Sequence, residues 1–258
     1  MKYAKKIGQT LLIALFWLSV WHIAAWRVGK PALLPTPWAV LVRLVELMQT
    51  AAFYKTTLTS LWNILLGILL AVLAGCVLSM LTACSAVARR LFFPVMSVIK
   101  ATPVASFIIL ALIWIGSARV PTFITILIVL PVLWTNLDTG FTSMDPKLGE
   151  VAKVYRFSFW KRIRLLILPS LKPYFVSACR TSLGLAWKAG VAAEIIAMPR
   201  NTIGAMIGDA KQYIQTADMF AWTITVILLS LVIEFVFAAL FDKATEKTGK
   251  KARVYAEH

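Results

Sequence analysis

The sequence predicts an all-α, polytopic membrane protein of about six transmembrane helices, on three observations. Sixty per cent of the residues are hydrophobic, 15% are charged, and the mean hydropathy is +0.81, whereas a water-soluble domain is usually about 25% charged. Nearly uncharged apolar runs recur along the chain, and a run of roughly 18 to 25 such residues crosses a bilayer core of about 30 Å as a helix. The 258 residues accommodate about six such runs joined by short loops, without room for a large soluble domain.

The runs fall at about 8–26, 57–82, 92–116, 119–141, 173–197 and 219–241, so that 1–258 reads as one membrane domain. The first follows basic residues as a signal peptide would, but Trp21, His22 and Trp26 crowd the would-be cleavage site, which favours a retained helix. Trp17, Trp21 and Trp26 suit an interfacial belt. Between the first and second runs, Leu41, Leu44, Val45 and Met48 recur at helical spacing and predict a short amphipathic helix on the outer surface. Gly67 and Gly75 lie on nearly one face of the second run and predict close helix packing. Only Ser117 to Pro121 separate the third and fourth runs, which calls for a tight turn. The segment 198–219 reads as a polar connector, a lid or a simple link on the outer side.

Between the fourth and fifth runs lies "EVAKVYRFSFWKRIRLLILP", residues 150–169, with Lys153, Arg156, Lys161, Arg162 and Arg164 in an otherwise apolar chain. Ser143 and Asp145 are candidate N-caps and Pro146 suits a first helical position, so a helix from Pro146 to Tyr155 is expected, carrying Glu150, Ala152 and Tyr155. Ser158 then caps a second, interfacial helix in which Phe159, Ile163, Leu166 and Ile167 share a face, and Pro169 marks a break before the fifth run. Within that run, an unpaired central charge costs at least about 2.5–3.5 kcal/mol, so Arg180, Lys188 and Glu194 need partners or water. Lys188 and Glu194 point in different directions, and two readings stay open for them: they line a polar path, with Lys188 attracting an anion, or they pair with another helix or subunit. Arg180 reads as a snorkelling interfacial residue.

With six crossings and both termini inside, eighteen basic residues fall on the inner side and seven on the outer. They include Lys2, Lys5 and Lys6 at one end and the five from Lys243 to Arg253 at the other. This asymmetry places the termini in the cytoplasm and assigns the formal charge of +16 to topology and anionic headgroups, with no nucleic-acid partner. Cys76, Cys84 and Cys179 read as small buried hydrophobes without disulfide or metal spacing. His22 and His258 are too far apart in the chain to suggest a metal pair, and neither a catalytic triad nor a phosphate-cradling loop is visible. The residues by themselves leave open a self-sufficient channel or ion-coupled carrier, or a membrane assembly scaffold.

The stretch 150–169 resembles the EAA motif of permease subunits of bacterial binding-protein-dependent ABC importers. Glu150, Val151 and Ala152 take its first positions, Ile163 its apolar one, and Leu168 and Pro169 close it. "LLPTPWAVLVRLVELM", "SLWNILLGILLAVLAG", "ATPVASFIILALIWIG" and "GLAWKAGVAAEIIA" resemble, in order and spacing, the nitrate, sulfonate and taurine branch of that family. Arg156 stands at the motif's Gly, Val151 at its first Ala, and Asn63 where many relatives have Arg. If the Gly position needs a left-handed turn, Arg156 bears about 1 kcal/mol of strain there.

The resemblance implies a type I importer permease with a cytoplasmic coupling helix between spans 4 and 5. It implies docking of ABC ATPase subunits on Glu150, Val151, Ala152, Tyr155, Arg156, Ile163, Leu168 and Pro169. It further implies a second permease copy, an extracytoplasmic solute-binding protein, and a small solute such as a sulfonate, taurine or nitrate. Related importers of thiamine-precursor pyrimidines and flavin-like compounds widen that solute class. No cofactor is expected on this chain, with ATP and Mg held by the partner ATPase, and the location implied is the bacterial inner membrane.

Overall fold

A computed structural model describes the backbone of residues 2–256 and the side chains of residues 8–239. The basic side chains of Lys2, Lys5 and Lys6 and those from Lys243 to Arg253, together with His258, lie outside the described residues. The described chain is helical: α1 (Lys2–Val28), α2 (Pro37–Met48), α3 (Ala51–Cys84), α4 (Ala86–Ala101), α5 (Val104–Ile115), α6 (Val120–Thr142), α7 (Pro146–Val154), α8 (Phe159–Arg162), α9 (Leu168–Ala197), α10 (Ile203–Gln212) and α11 (Thr216–Ala256).

The centre of the bundle is the trio α3, α6 and α9. Apolar side chains surround α3, so its inward face is selected by small and polar residues instead. Thr56, Ser60, Ile64, Gly67, Ala71, Gly75, Ser79 and Thr82 are buried at successive helical turns. A Cβ at Gly67 would stand 2.7 Å from Thr125 Cβ and 2.8 Å from the Thr122 carbonyl of α6, so the two backbones meet there as the glycine spacing predicted. At Gly190 on α9 a Cβ would come within 2.6 Å of Ile64. Small residues thus join α3 to both neighbours, and the bulky ones are left to face lipid.

Among the described residues, four helical segments are long and apolar enough to cross a membrane: 8–28, 51–84, 117–142 and 216–239. The expected third crossing is not one straight helix. Its residues form α4 and α5, which meet at 105° and count together as a fifth crossing only as a broken span. The cause is local: Pro103 has no N–H to donate and drives Thr102 into an extended conformation (φ −80°, ψ 133°). Lys100 sits at this bend and donates to Thr135 Oγ1. The expected fifth crossing is the 30-residue α9, too polar to qualify by composition. It packs against α3, α5, α6, α10 and α11.

The tight turn between the third and fourth runs is present. Gly116 adopts φ +71° and one 3₁₀ turn, Ser117–Arg119, leads into α6. The amphipathic helix expected before the second run is α2, but it buries Val40 and Leu44, whereas Leu41, Val45 and Met48 remain about half exposed. The face is rotated from expectation because Val40 and Leu44 enter the cluster of Phe53, Trp187 and Trp222. Cys179 is buried and Cys76 half-buried; Cys84 is exposed on the last turn of α3, correcting its assignment to the interior.

Candidate functional site

The candidate coupling element, α7, is a self-contained nine-residue helix. Asp145 Oδ1 accepts from the Lys147 N–H at 2.9 Å, and Pro146 occupies the first turn where its missing donor costs nothing. At the other end the Phe157 N–H donates to the Ala152 carbonyl at 2.9 Å and the Arg156 N–H to Lys153 at 3.1 Å. That is a Schellman closure, and it requires a left-handed residue at Arg156, whose φ is +47°. The turn that a glycine would make freely is therefore made by arginine, with the strain the sequence implied.

Ala152 is buried beneath α7, whereas Glu150, Val151, Val154, Tyr155 and Arg156 are exposed. The helix thus presents one short apolar and charged face to whatever lies below it. Beyond Ser158, α8 carries Phe159 and Trp160 outward. The expected break at Pro169 is absent: α8 runs into a π-helical turn, Ile163–Ile167, and on into α9. The wider turn lets the Leu168 N–H donate to the Ile163 carbonyl and makes room for the Pro169 ring one residue later. Ile163 is half-buried, and Leu168 and Pro169 are exposed at the elbow.

Of the charged residues of α9, Lys188 and Glu194 part company. Lys188 is exposed on the protomer. Glu194 is 0% exposed, and its Oε2 accepts from Ser60 Oγ at 2.8 Å and from the Gly204 N–H at 3.1 Å, while Oε1 is buried without a hydrogen-bond partner. Ser60 Oγ in turn accepts from the Ile203 N–H at 2.8 Å. In this protomer Glu194 pairs with other helices, the second of the two readings left open for it. It ties α9 to α3 and to the first turn of α10.

This latch went unseen in the sequence because 198–219 read as a connector. The segment instead holds α10, capped by Thr202, with Ile203, Gly204, Ala205, Gly208 and Ala210 buried. The spacing of Gly204 and Gly208 after a capping Thr was the available signal. A second tie lies nearby: Arg43 on α2 donates through Nη2 to Asp218 Oδ2 at 2.9 Å, through Nε to Oδ1, and through Nη1 to Glu46. Hydrogen bonds to Asp218, then to Glu46, raise the pKa of Arg43 above its ordinary value against the opposing effect of burial, so the guanidinium stays charged. Trp21 Nε1 donates to the Pro35 carbonyl, and its ring stacks on Phe220.

An α-helical bundle with several membrane-length apolar helices, and an exposed, doubly capped helix leading through an elbow into α9, is the architecture of a multi-pass membrane protein. Residues 63–246 match the family of binding-protein-dependent transport system inner membrane components, and the chain belongs to that family. A Bacillus subtilis (strain 168) protein provisionally named as an aliphatic sulfonates transport permease is 29% identical over 82% of this chain and 77% of its own length. The taurine transport system permease protein of Escherichia coli (strain K12) is 26% identical over 95% of this chain and 90% of its own. In fold, the chain is similar to one in a bacterial alginate ABC transporter crystallised with an alginate pentasaccharide-bound periplasmic protein. The TM-score is 0.63 at 16% identity, covering 95% of this chain and 96% of that one. The protein is the permease subunit of a binding-protein-dependent ABC importer, and a multi-pass membrane protein.

Proposed function

We propose that this subunit imports a small anionic solute, a sulfonate such as taurine or a nitrate-like oxyanion, driven by a separate ATPase that docks on α7. The observation that carries the coupling reading is α7 itself: a rigid exposed helix, capped at both ends, joined through one π turn to α9. At 1.5 Å per residue α9 spans about 45 Å, enough to reach from the elbow to the far side of the bilayer. ATP-driven closure of the ATPase pair would displace Glu150, Val151, Tyr155 and Arg156, and the elbow at Ile163, Leu168 and Pro169 would pass the movement into α9. At its other end α9 is latched through Glu194 to α10, where a solute-binding protein would dock.

In this reading two copies of the chain enclose the path, and Lys188, exposed on the protomer, lines it and attracts the anion. The broken α4–α5 pair and the polar α9 complete six crossings, with both termini cytoplasmic. ATP and Mg stay on the partner, where hydrolysis takes place. The anionic solute class is supported by Lys188 and by the names of the sulfonate and taurine relatives.

The experiment is uptake into vesicles holding the permease and its ATPase, supplied with the solute-binding protein. The expected result is ATP-dependent uptake of a radiolabelled sulfonate, with Lys188→Gln reducing it while leaving nucleotide hydrolysis in place. Uptake that persists without ATP, or a preference for neutral solutes unaffected by Lys188→Gln, contradicts this reading.

A further inference from the structure

α9 belongs to the central trio of helices, yet it keeps one exposed stripe. Ala178, Ser182, Ala186, Trp187 and Val191 are buried, whereas Ser177, Thr181 and Lys188 are exposed. At about 100° per residue, Ser177 and Thr181 each fall within about 20° of the line through Lys188. Gly184 stands one turn from Lys188, about 6 Å along the axis and about 40° round it. On α11, Glu234 lies within the membrane-length segment 216–239 and is exposed on the protomer. Its Oε1 is 3.1 Å from where a Cβ on Gly184 would stand. The carboxylate of α11 therefore rests against the bare turn of α9, at the edge of the stripe that carries Lys188. Trp187 Nε1, donating to the Val226 carbonyl at 3.0 Å, holds the two helices together one turn away.

Both charges lie at membrane depth. Lys188 is nine residues from the end of α9 and Glu234 eighteen from the start of α11, about 14 and 27 Å from the α10 end. The Ser230 hydroxyl donates to Glu234 Oε1 at 3.4 Å. Among the described residues neither Glu234 nor Lys188 forms an ion pair. A charged group within a bilayer faces water or a partner, so an acid and a base left open one turn apart mark a place for a ligand.

We propose that Lys188 and Glu234 are the two poles of a solute site selecting a zwitterion, the sulfonate meeting Lys188 and an ammonium group meeting Glu234. It rests on the reading under Proposed function that Lys188 lines the path, and narrows the cargo to an aminoalkanesulfonate. The separation of the poles suits a short solute with its opposite charges a few bonds apart. The same arrangement rejects as well as attracts. A simple oxyanion drawn to Lys188 meets the negative carboxylate beside it, and that repulsion favours the solute that brings its own cation. Glu234 is thus a specificity-determining residue.

The test uses vesicles holding the permease and its ATPase, supplied with the solute-binding protein. The radiolabelled solutes are taurine and propane-1-sulfonate, in which a methyl group replaces the ammonium. The same binding protein serves every variant, so its own preference cancels when each variant is compared with the unaltered chain. Glu234→Gln is expected to lower taurine uptake by roughly fivefold and to leave propane-1-sulfonate uptake unchanged or raised. Lys188→Gln should lower both, because both solutes carry the sulfonate. Glu234→Asp, which keeps the charge, should retain more taurine uptake than Glu234→Gln. Thermal unfolding and nucleotide hydrolysis confirm that each variant is folded and assembled.

An equal fall for the two solutes in Glu234→Gln, or no fall for either, overturns the zwitterion site. So does a double variant, Lys188→Gln with Glu234→Gln, that takes up taurine no worse than either single one, since the two charges would then serve only each other. Failure of the path reading itself looks different. Lys188→Gln then leaves both uptakes untouched, or neither solute enters with ATP, and the site is lost with the path. A fall of both uptakes in Lys188→Gln without discrimination by Glu234 overturns the zwitterion site alone.

Discussion

The α10 end and the α7 end of the bundle are built on opposite plans. At the α10 end, elements distant in sequence are stitched by buried and partly buried polar contacts. Glu194 holds Ser60 and Gly204, Ser60 holds the Ile203 N–H, and Arg43 clamps Asp218 across the gap from α2 to α11. At the α7 end Arg89 pairs with Asp138 and Trp134 donates to Thr82 within the bundle, but α7 itself is held by local contacts: Asp145 caps its own helix and Arg156 closes it, leaving the outer face bare. The difference teaches where stiffness is needed. A buried hydrogen bond in an apolar setting has no water to replace a lost partner, so the α10 end resists rearrangement. A locally capped helix moves as a unit when something pushes it.

The contrast can be broken most severely at Gly204. A Cβ there would stand 2.2 Å from Glu194 Cβ and 2.6 Å from backbone atoms of residues 194 and 195. Gly204→Val is expected to cost about 3 kcal/mol or more and to separate α10 from α9, read as a lowered unfolding temperature in detergent. Glu194→Ala comes next, at about 1–3 kcal/mol, because it strips partners from Ser60 and the Gly204 N–H inside the bundle. Glu194→Gln retains an acceptor and should recover much of the loss; equal loss in both would show that the carbonyl oxygen is not what matters.

At the α7 end the largest change should run the other way. Arg156→Gly removes the strain of φ +47° and is expected to stabilise the closure by up to about 1 kcal/mol, visible as slower proteolysis of the loop. Faster cleavage would mean that the arginine side chain holds the turn. The smallest effect is expected for Arg43→Gln. The ion pair is partly exposed, with the Arg43 side chain 40% accessible, so screening limits its loss to roughly 0.5–1 kcal/mol. A much larger drop would make α2 a structural keystone.

How much of this was legible in the sequence depended on whether the signal was local. Asp145, Pro146 and the strain at Arg156 were readable because capping chemistry lies within a few residues of the helix it ends. The packing of α3 on α6 was readable from Gly67 and Gly75 because in lipid the small residues mark the contact. The bend at Thr102 was not inferred, although Pro103 announced it, because the surrounding apolar run was long enough to cross as one helix. For Glu194 a lining role and a structural pairing stayed open because its partners, Ser60 and Gly204, come from α3 and α10, and no periodicity within α9 points to either. The membrane also inverts the usual guide. The apolar α1 is largely exposed, with 6% of its most apolar window buried, and the charge-bearing α9 fills the centre.

The account turns on α7 receiving force from the ATPase. Glu150→Cys, in a chain with Cys76, Cys84 and Cys179 replaced by Ser, would be cross-linked to the co-assembled ATPase in the presence and absence of a non-hydrolysable ATP analogue. The account predicts cross-linking at Glu150→Cys that changes with nucleotide, with none at a control cysteine replacing Lys211 on α10. Cross-linking to the ATPase from position 211, or none from position 150 in an assembly that hydrolyses ATP and transports, would contradict it.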